Sequence, residues 1–170
     1  RAAIVVASRK QPPAQADATT ILVTFTIRAF LQRQARKRKR KQPVYVVAEI
    51  LDPENLEHAR TAGADEVIET TRLGFSLIAH AAVIPGSGTI MSQVASAEAH
   101  SLYTTPNPHT DTVLYGRLSS ELRAHNATVL GLRLPSTGQV ILNPDDGLVV
   151  ESECEVVYLA GEPVDLLKEE

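Results

Sequence analysis

The sequence has little from which a covalent, redox or metal framework could be built. Its 170 residues include one cysteine, one methionine and no tryptophan. Cys154 has no partner cysteine, so an internal disulfide and a multi-thiolate metal site are both excluded within one chain. No stretch approaches the ~20 apolar residues that span a bilayer, and the N-terminus lacks the pattern of a signal peptide. We therefore expect a globular chain that works in a reducing compartment.

Catalytic signatures are missing as well. The segment Gly86-Ser87-Gly88 lacks the spacing of a nucleophile elbow, and no Gly-Lys-Ser/Thr phosphate loop occurs. None of the four tyrosines has a lysine four positions later, and the five histidines lack zincin spacing. His109 and Asp111 form a close histidine–carboxylate pair, which a solvated loop explains. We predict that the chain is not an enzyme.

The net charge of −3 hides a basic cluster, because Arg33 and the run 36–41 hold seven of the 17 lysines and arginines. Such a run could bind nucleic acid or anionic lipid, direct nuclear import, or serve as a solvated connector. No aromatic residue interleaves the run, and the rest of the chain is acidic. We favour the connector and expect no nucleic-acid partner.

The most informative segment predicts a strand, a helix and a second strand in direct succession. Residues 44–48 are continuously apolar, as a strand covered on both faces requires. Asp52 supplies an N-cap and Pro53 a first-turn proline, and Gly63 ends the helix. Residues 64–68 then return to the sheet. This pattern predicts one βαβ step of a parallel sheet.

The N-terminal segment predicts a second strand–helix pair. Residues 2–7 indicate a buried strand, and prolines at positions 12 and 13 keep residues 8–16 out of a helix. Asp17 caps a long helix over 18–36. The apolar residues expected to face the sheet are Ile21, Leu22, Phe25, Ala29 and Phe30.

The remaining pattern predicts three regions. Thr70 or Thr71 caps a helix that runs to residue 83, and a glycine-rich break at 85–88 separates it from a shorter helix and a linker. Beyond the linker, strand, helix, hairpin and strand form a small α+β unit. The expected organisation is a first lobe over 1–83, a crossover helix and linker over 84–100, and a second lobe over 101–170.

The order of these segments resembles the RCK family, the regulators of K⁺ conductance that form cytosolic gating rings of potassium channels and regulatory subunits of potassium transporters. Residues 3–7 resemble the fourth strand of the family's Rossmann-like lobe, and residues 47–68 resemble its next strand, helix and strand. Residues 116–122, 129–132 and 141–144 resemble the small C-terminal lobe. Within the family, the proline-rich loop and long first helix are most similar to Castor and Pollux type cation channels.

The resemblance implies an α/β fold in which a Rossmann-like parallel sheet, with its first half missing, precedes a small α+β lobe. The glycine-rich phosphate loop of the family lies on the first strand–helix turn, and this sequence starts after that turn. Strand 2–7 would then need neighbouring strands from a missing N-terminal half-lobe or from another chain.

The resemblance also implies a function: a domain on the cytoplasmic side of a membrane that forms a dimer within a larger homo-oligomeric ring. The ring would couple ligand binding to gating of an attached cation-channel pore. The helices around the 85–88 break lie where the family exchanges crossover helices between subunits. The interface residues expected there are Leu73, Leu77, Ile78, Ile90, Met91 and Val94, and the alternative is that they complete the chain's own core.

Ligands of open parallel sheets bind beyond the carboxyl ends of the strands. Glu49 and Asp52 follow one strand and could bind Ca²⁺, as acidic residues do in some family members, although a helix cap and an ion pair also explain them. Ser8 and Arg9 follow another strand and could contact an adenine nucleotide, or form a solvated loop. Two other functions stay open: a fragment of a nucleotide-dependent oxidoreductase, and a free-standing binding protein recruited by its basic run.

Overall fold

The computed structural model describes residues 2–37, 43–96 and 100–164. The chain divides into two compact units, residues 1–85 (the first unit) and residues 86–170 (the second unit). Most of the basic run, residues 38–41, lies outside the described residues. Within the described ranges, no helix is both long enough and apolar enough to cross a membrane.

The first unit is built on a three-stranded parallel sheet of order β1-β2-β3. Its strands are β1 (Ala2–Val5), β2 (Tyr45–Ile50) and β3 (Glu66–Glu69). Helix α1 (Pro13–Lys37) connects β1 to β2, and a 3-10 turn (Pro53–Asn55) with α2 (Leu56–Thr61) connects β2 to β3. The predicted βαβ step and the α/β fold class are confirmed.

The predicted buried face of α1 is wrong. Leu22 and Phe25 are 65% and 59% exposed, whereas Ala16, Thr20 and Thr24 are buried. These three residues recur every four positions and form one stripe along the helix. Because they are small, they let α1 lie close to β2, where Val46, Ala48 and Ile50 are fully buried. The large apolar side chains therefore occupy a neighbouring stripe that nothing in the described chain covers.

Helix α1 also begins earlier than predicted. We expected Pro12 and Pro13 to exclude helix, but Pro13 is the first helical residue, and the amide of Ala16 donates to the Pro12 carbonyl over 3.0 Å. A proline is tolerated in the first turn because its missing N–H would have had no partner there. Asp17 consequently lies inside the helix and does not cap it.

A single arginine fastens α1 to the turn before β3. Arg28 donates through Nε to the Gly63 carbonyl over 2.8 Å and through Nη2 to Asp65 Oδ2 over 2.6 Å. Asp65 also accepts from the amide of Val46 over 2.7 Å. Gly63 has φ of 102°, and a Cβ there would lie 2.7 Å from Arg28 Cγ. The glycine predicted to stop α2 is therefore required by conformation and by space.

The opposite face of the sheet is open at β1. Val5 and Ala7 are buried, whereas Ile4 and Val6 are 71% and 67% exposed, as the alternation of a strand with one covered face requires. Among the described strands, β1 pairs only with β2. It therefore presents both an uncovered apolar face and a free edge.

The last element of the first unit is α3 (Thr70–Val83), which follows β3 without a loop. We expected a threonine to cap it, but Glu69 occupies the N-cap position and makes no capping hydrogen bond. No residue of this helix is buried. Its apolar side chains, such as Phe75 at 68% exposure, have no covering partner in the described chain.

The described part of the second unit, residues 86–96 and 100–164, contains two antiparallel sheets and two helices. One sheet has four strands in the order β4-β9-β6-β7, and the other pairs β5 with β8. The elements in chain order are α4 (Ser87–Ser96), β4 (Ser101–Pro106), β5 (Val113–Leu114), α5 (Tyr115–Ala124), β6 (Thr128–Arg133), β7 (Val140–Leu142), β8 (Val149–Val150) and β9 (Glu155–Ala160). The predicted α+β lobe is confirmed, and only the two-residue strands β5 and β8 were missed.

The core of the second unit lies between α5 and the four-stranded sheet. Leu118 and Leu122 lie one helical turn apart on α5, and both are fully buried. They belong to the same buried cluster as Val156 and Tyr158 of β9. The ring of Tyr158 lies 5.7 Å from that of Tyr103, at an angle of 31°. Burial of each such leucine contributes about 1.5–3 kcal/mol, so this face of α5 fixes the helix on the sheet.

Candidate functional site

The three parallel strands of the first unit end at the same side of the sheet. We name this side the carboxyl edge and define it as residues 6–10, 49–55 and 69–71. Open parallel sheets bind their ligands at such an edge, because the strand ends and the following loops converge there. All four residues predicted to bind ligand lie in these segments: Ser8, Arg9, Glu49 and Asp52.

One carboxylate joins the three parts of the carboxyl edge. Glu49, near the end of β2, is only 8% exposed. Its Oε2 accepts from the amide of Ala7 over 2.9 Å, and its Oε1 accepts from the hydroxyl of Thr70 over 2.7 Å. Oε1 also accepts from Nη2 of Arg9. We name this arrangement the Glu49 clasp, and it links the end of β1, the end of β2 and the first residue of α3.

The clasp changes the acidity of its central carboxyl group. Burial raises the pKa of Glu49, but the hydrogen bonds from Thr70, Ala7 and Arg9, together with the positive charge of Arg9, outweigh burial. The pKa of Glu49 therefore lies below the ordinary value of 4.5. Glu49 is a carboxylate at neutral pH, and folding favours that charged form.

The lowered pKa of Glu49 predicts a pH-dependent contribution to stability. The clasp should stabilise the first unit fully above the unfolded-state value near 4.5 and lose its effect as pH falls through the lower folded-state value. The variant Glu49→Gln lacks this titration. We expect the gap in unfolding free energy between the wild type and Glu49→Gln to narrow from pH 7 to pH 3.5, as measured by urea denaturation. Glu57→Gln, at an exposed site, should show a gap near zero throughout, and a constant gap for Glu49→Gln would contradict the assignment.

A second buried carboxylate occupies the backbone donors just beyond β2. Asp17 is fully buried; its Oδ1 accepts from the amide of Leu51 over 2.9 Å. Its Oδ2 accepts from the amide of Asp52 over 2.9 Å and from Nδ2 of Asn55 over 3.0 Å. An internal anion thus fills the place where amides past a strand end often meet a phosphate. These amides are already satisfied within the chain.

The residues predicted to bind calcium have structural roles in the described chain. Glu49 is held by the clasp, and Asp52 Oδ1 accepts from the amide of Glu54 over 3.0 Å, which caps the 3-10 turn. Within the described ranges, no three histidine, cysteine or acidic residues come together in a way that could hold a metal ion. The calcium site stays a prediction.

The residues predicted to contact a nucleotide lie in the loop after β1. Ser8 Oγ accepts from the amide of Lys10 over 3.3 Å. The side chain of Arg9 bonds to Glu49, yet it remains 63% exposed. A cation held at the carboxyl edge and open to solvent is suited to an anionic ligand. The nucleotide site also stays a prediction.

The six predicted interface residues divide between the two units. Leu73, Leu77 and Ile78 lie on α3, and Ile90, Met91 and Val94 lie on α4. None of the six is buried, although Leu77 and Val94 are half-buried, and their role at an interface stays a prediction. Phe75 was missed, although it lies one turn before Ile78 on the helix and is 68% exposed like Ile78.

A further ionic cluster, in the second unit, joins the loop after β4 to α5. The sequence suggested His109 and Asp111 as a pair, but His109 Nε2 instead contacts Glu121 Oε2 at 2.8 Å. Arg117 Nε donates to Glu121 Oε1 over 2.9 Å. Burial raises the pKa of Glu121, but the hydrogen bonds and charges of His109 and Arg117 outweigh it and lower this pKa. The cluster holds the loop against α5.

Comparison with known proteins adds evidence on the fold. No protein-family model and no curated protein match the chain. Among solved structures, the human SLO3 gating ring matches 95% of the chain with a TM-score of 0.66 at 14% identity. The GsuK RCK domain matches 94% at a TM-score of 0.37 and 15% identity, and a GsuK channel bound to NAD matches 92% at 0.38 and 16%. The GsuK scores are too low to support an argument.

The chain spans 33% of the SLO3 gating-ring chain and 24–30% of the two GsuK chains. The fold of this chain, a parallel α/β sheet followed by an α+β lobe, is similar to that of part of the human SLO3 gating ring. The RCK-type architecture predicted from the sequence is therefore confirmed at the level of the fold.

Proposed function

We propose that this chain is a ligand-sensing regulatory domain of a cation-channel or transporter gating ring, located on the cytoplasmic side of a membrane, and not an enzyme. The observation that carries this proposal is the likeness of 95% of the chain to the human SLO3 gating ring. The two sequences are only 14% identical, so the likeness is one of fold. The exposed surfaces of the chain provide independent support.

Exposed apolar helices support assembly with further copies of the chain. Leu73, Phe75 and Ile78 on α3 are between 53% and 68% exposed, and Ile90 on α4 is 62% exposed. Contiguous exposed apolar side chains on soluble proteins usually mark interaction sites, because their burial removes apolar surface from water. We infer that copies associate through these helices into a dimer within a larger ring.

The open face of β1 supports a second partner, an N-terminal half-lobe. Ile4 and Val6 are exposed on the strand face, and the outer edge of β1 has neither a charged residue nor a proline to block pairing. Strands and helices of a further half-lobe would pair with this edge and cover both side chains. The sheet would then be a complete doubly wound sheet with the carboxyl edge at its centre.

Of the two predicted ligands, an adenine nucleotide fits the carboxyl edge better than Ca²⁺ does. Calcium binding to Glu49 would have to replace two hydrogen bonds and the ion pair with Arg9. A nucleotide phosphate would compete only for Arg9, whose side chain is 63% exposed and has Ser8 beside it. Ligand binding would shift the ring between arrangements that differ in ligand affinity, and the shift would move the attached pore.

Light scattering of the purified chain tests assembly. We expect a dimer or larger species, and we expect Ile78→Glu to weaken association at least tenfold, because it would bury a charge in an apolar contact. Ser76→Glu places the same charge at an exposed polar position of α3 and should leave the mass unchanged. A wild-type monomer at all concentrations, with or without ATP, NAD⁺ or Ca²⁺, would overturn the proposed function. A rise in Tm with one of these ligands would identify the effector.

A further inference from the structure

The direction of α3 depends on very few contacts. The helix has 14 residues and none is buried. Helices of this length are marginal in water unless an apolar face packs against something. Its N-cap residue, Glu69, makes no side-chain capping bond, and β3 leads into the helix without a loop. The hydrogen bond from Thr70 to Glu49 is therefore a principal side-chain anchor of its first turn.

The same carboxylate oxygen that anchors α3 also holds Arg9. Glu49 Oε1 accepts both from Thr70 Oγ1 at 2.7 Å and from Nη2 of Arg9. Arg9 lies in the loop after β1, with most of its side chain in solvent, whereas Glu49 is almost fully buried. A buried carboxylate is stable only with its compensating cation and donors in place. The position of Arg9 therefore affects the hydrogen bond by which Glu49 anchors the first turn of α3.

We propose that Glu49 couples the carboxyl edge to α3: Arg9 keeps Glu49 in place to anchor the helix, and an anionic ligand that draws Arg9 away loosens the first turn of α3. The clasp has two arrangements, one with Arg9 on Glu49 and one with Arg9 on the ligand. The ligand and the interface role of α3 rest on the proposed function. The link between Arg9 and α3 rests only on the geometry of the first unit.

The coupling explains how a small event at a sheet edge reaches an association surface. Leu73 lies about one helical turn after Thr70, the residue that is bonded to Glu49. Leu77 and Ile78 lie about one turn further along α3. A rotation at the start of a helix moves every side chain beyond it, so a change at one hydrogen bond is amplified along α3. Because coupling between sites is reciprocal, loosening the clasp should also free Arg9 for an anion.

Peptide-resolved hydrogen exchange of the full chain tests this link. Thr70→Val removes the hydroxyl that donates to Glu49, and we expect amides 71–80 to exchange three- to tenfold faster. Thr71→Val makes the same change at an exposed neighbour and should leave these amides unaffected. Arg9→Gln imitates the loss of Arg9 to a ligand and should accelerate the same amides, whereas Lys10→Gln should not. Unchanged exchange in β2 would show that the sheet stays folded in each variant.

Two results would overturn the proposal. Equal exchange in Thr70→Val and Thr71→Val would mean that Glu49 does not anchor α3. Faster exchange in Thr70→Val without any change in Arg9→Gln would mean that the anchor exists but does not respond to Arg9. At a protein concentration where light scattering gives the same mass for every variant, neither result depends on ring assembly or on ligand identity. Failure of this inference is then distinguishable from failure of the proposed function, which light scattering tests.

Discussion

Replacing Asp17 by alanine should destabilise the first unit by about 3–5 kcal/mol. The substitution removes the carboxylate that accepts hydrogen bonds from three donors, which are then left without a partner. The amides of Leu51 and Asp52 and the side chain of Asn55 all bond to this one group, which is fully buried. A bond to a charged acceptor contributes about 1.5–3 kcal/mol, and a buried donor left without a partner costs about 1–3 kcal/mol. Relief from burying the charge offsets part of this loss.

The effect of Asp17→Ala can be measured by urea denaturation followed by circular dichroism, with hydrogen exchange to assign the loss to the first unit. Asp52→Ala is the matched control, because Asp52 accepts a single bond at an exposed cap and should cost about 1 kcal/mol. A loss below 1 kcal/mol for Asp17→Ala would show that water replaces the carboxylate. The loss of unfolding free energy for Asp17→Asn should fall between the losses for Asp52→Ala and Asp17→Ala, since an amide retains only one accepting oxygen.

Local signals in the sequence predicted much of the fold. Asp52, Pro53 and Gly63 mark the start and end of a short helix through cap, proline and glycine chemistry, and the structure confirms the strand–helix–strand step around them. Such signals act over a few residues, so they can be recognised without knowing what the segment packs against. The α+β lobe was predicted for the same reason.

Asp17 shows where local reasoning fails. An aspartate before an apolar helical pattern indicates an N-cap, yet its partners lie 34 to 38 positions later in the chain. The orientation of α1 was missed for a related reason. Its apolar stripe was expected to face the sheet, but close packing on β2 favours the small residues Thr20 and Thr24. Both outcomes depend on tertiary contacts that no window of sequence contains.

The sequence predicted which residues lie at the carboxyl edge, but it did not predict which side chains there bond to each other. Arg9 and Glu49 were assigned to two separate ligands, a nucleotide and a cation, and the alternative for Glu49 was an ion pair with an unspecified basic residue. In the structure they are 40 positions apart in sequence and bonded to each other, with Thr70 as a third member. Parallel strands predict which residues reach the carboxyl edge, but side-chain pairing there depends on register and rotamer. The clasp could therefore be identified only from the three-dimensional structure.

Replacing Gly131 by alanine should disrupt the pairing of β6 with β7 and destabilise the second unit by about 3 kcal/mol. A Cβ at this position would lie 2.0 Å from the carbonyl oxygen of Ile141 and 3.0 Å from Cα of Leu142. Both atoms belong to the backbone, so no change of rotamer relieves the clash, and β7 has to move away. Gly131 also borders a bulge in the pairing of β6 with β9.

Urea denaturation and the exchange rates of the β7 amides measure the effect of Gly131→Ala. Gly74→Ala is the control for loss of a glycine in itself. Gly74 lies inside α3, and among the described residues nothing beyond its chain neighbours and its own helix backbone lies within 4 Å of the added methyl group. That variant should gain about 0.5–1 kcal/mol, since alanine favours helix over the unfolded chain. Opposite signs for the two substitutions would show that space between strands, and not backbone freedom, requires the glycine at 131. If β7 kept its protection in Gly131→Ala, the close approach of the two backbones would be wrong, and with it the register that places Gly131 opposite Leu142.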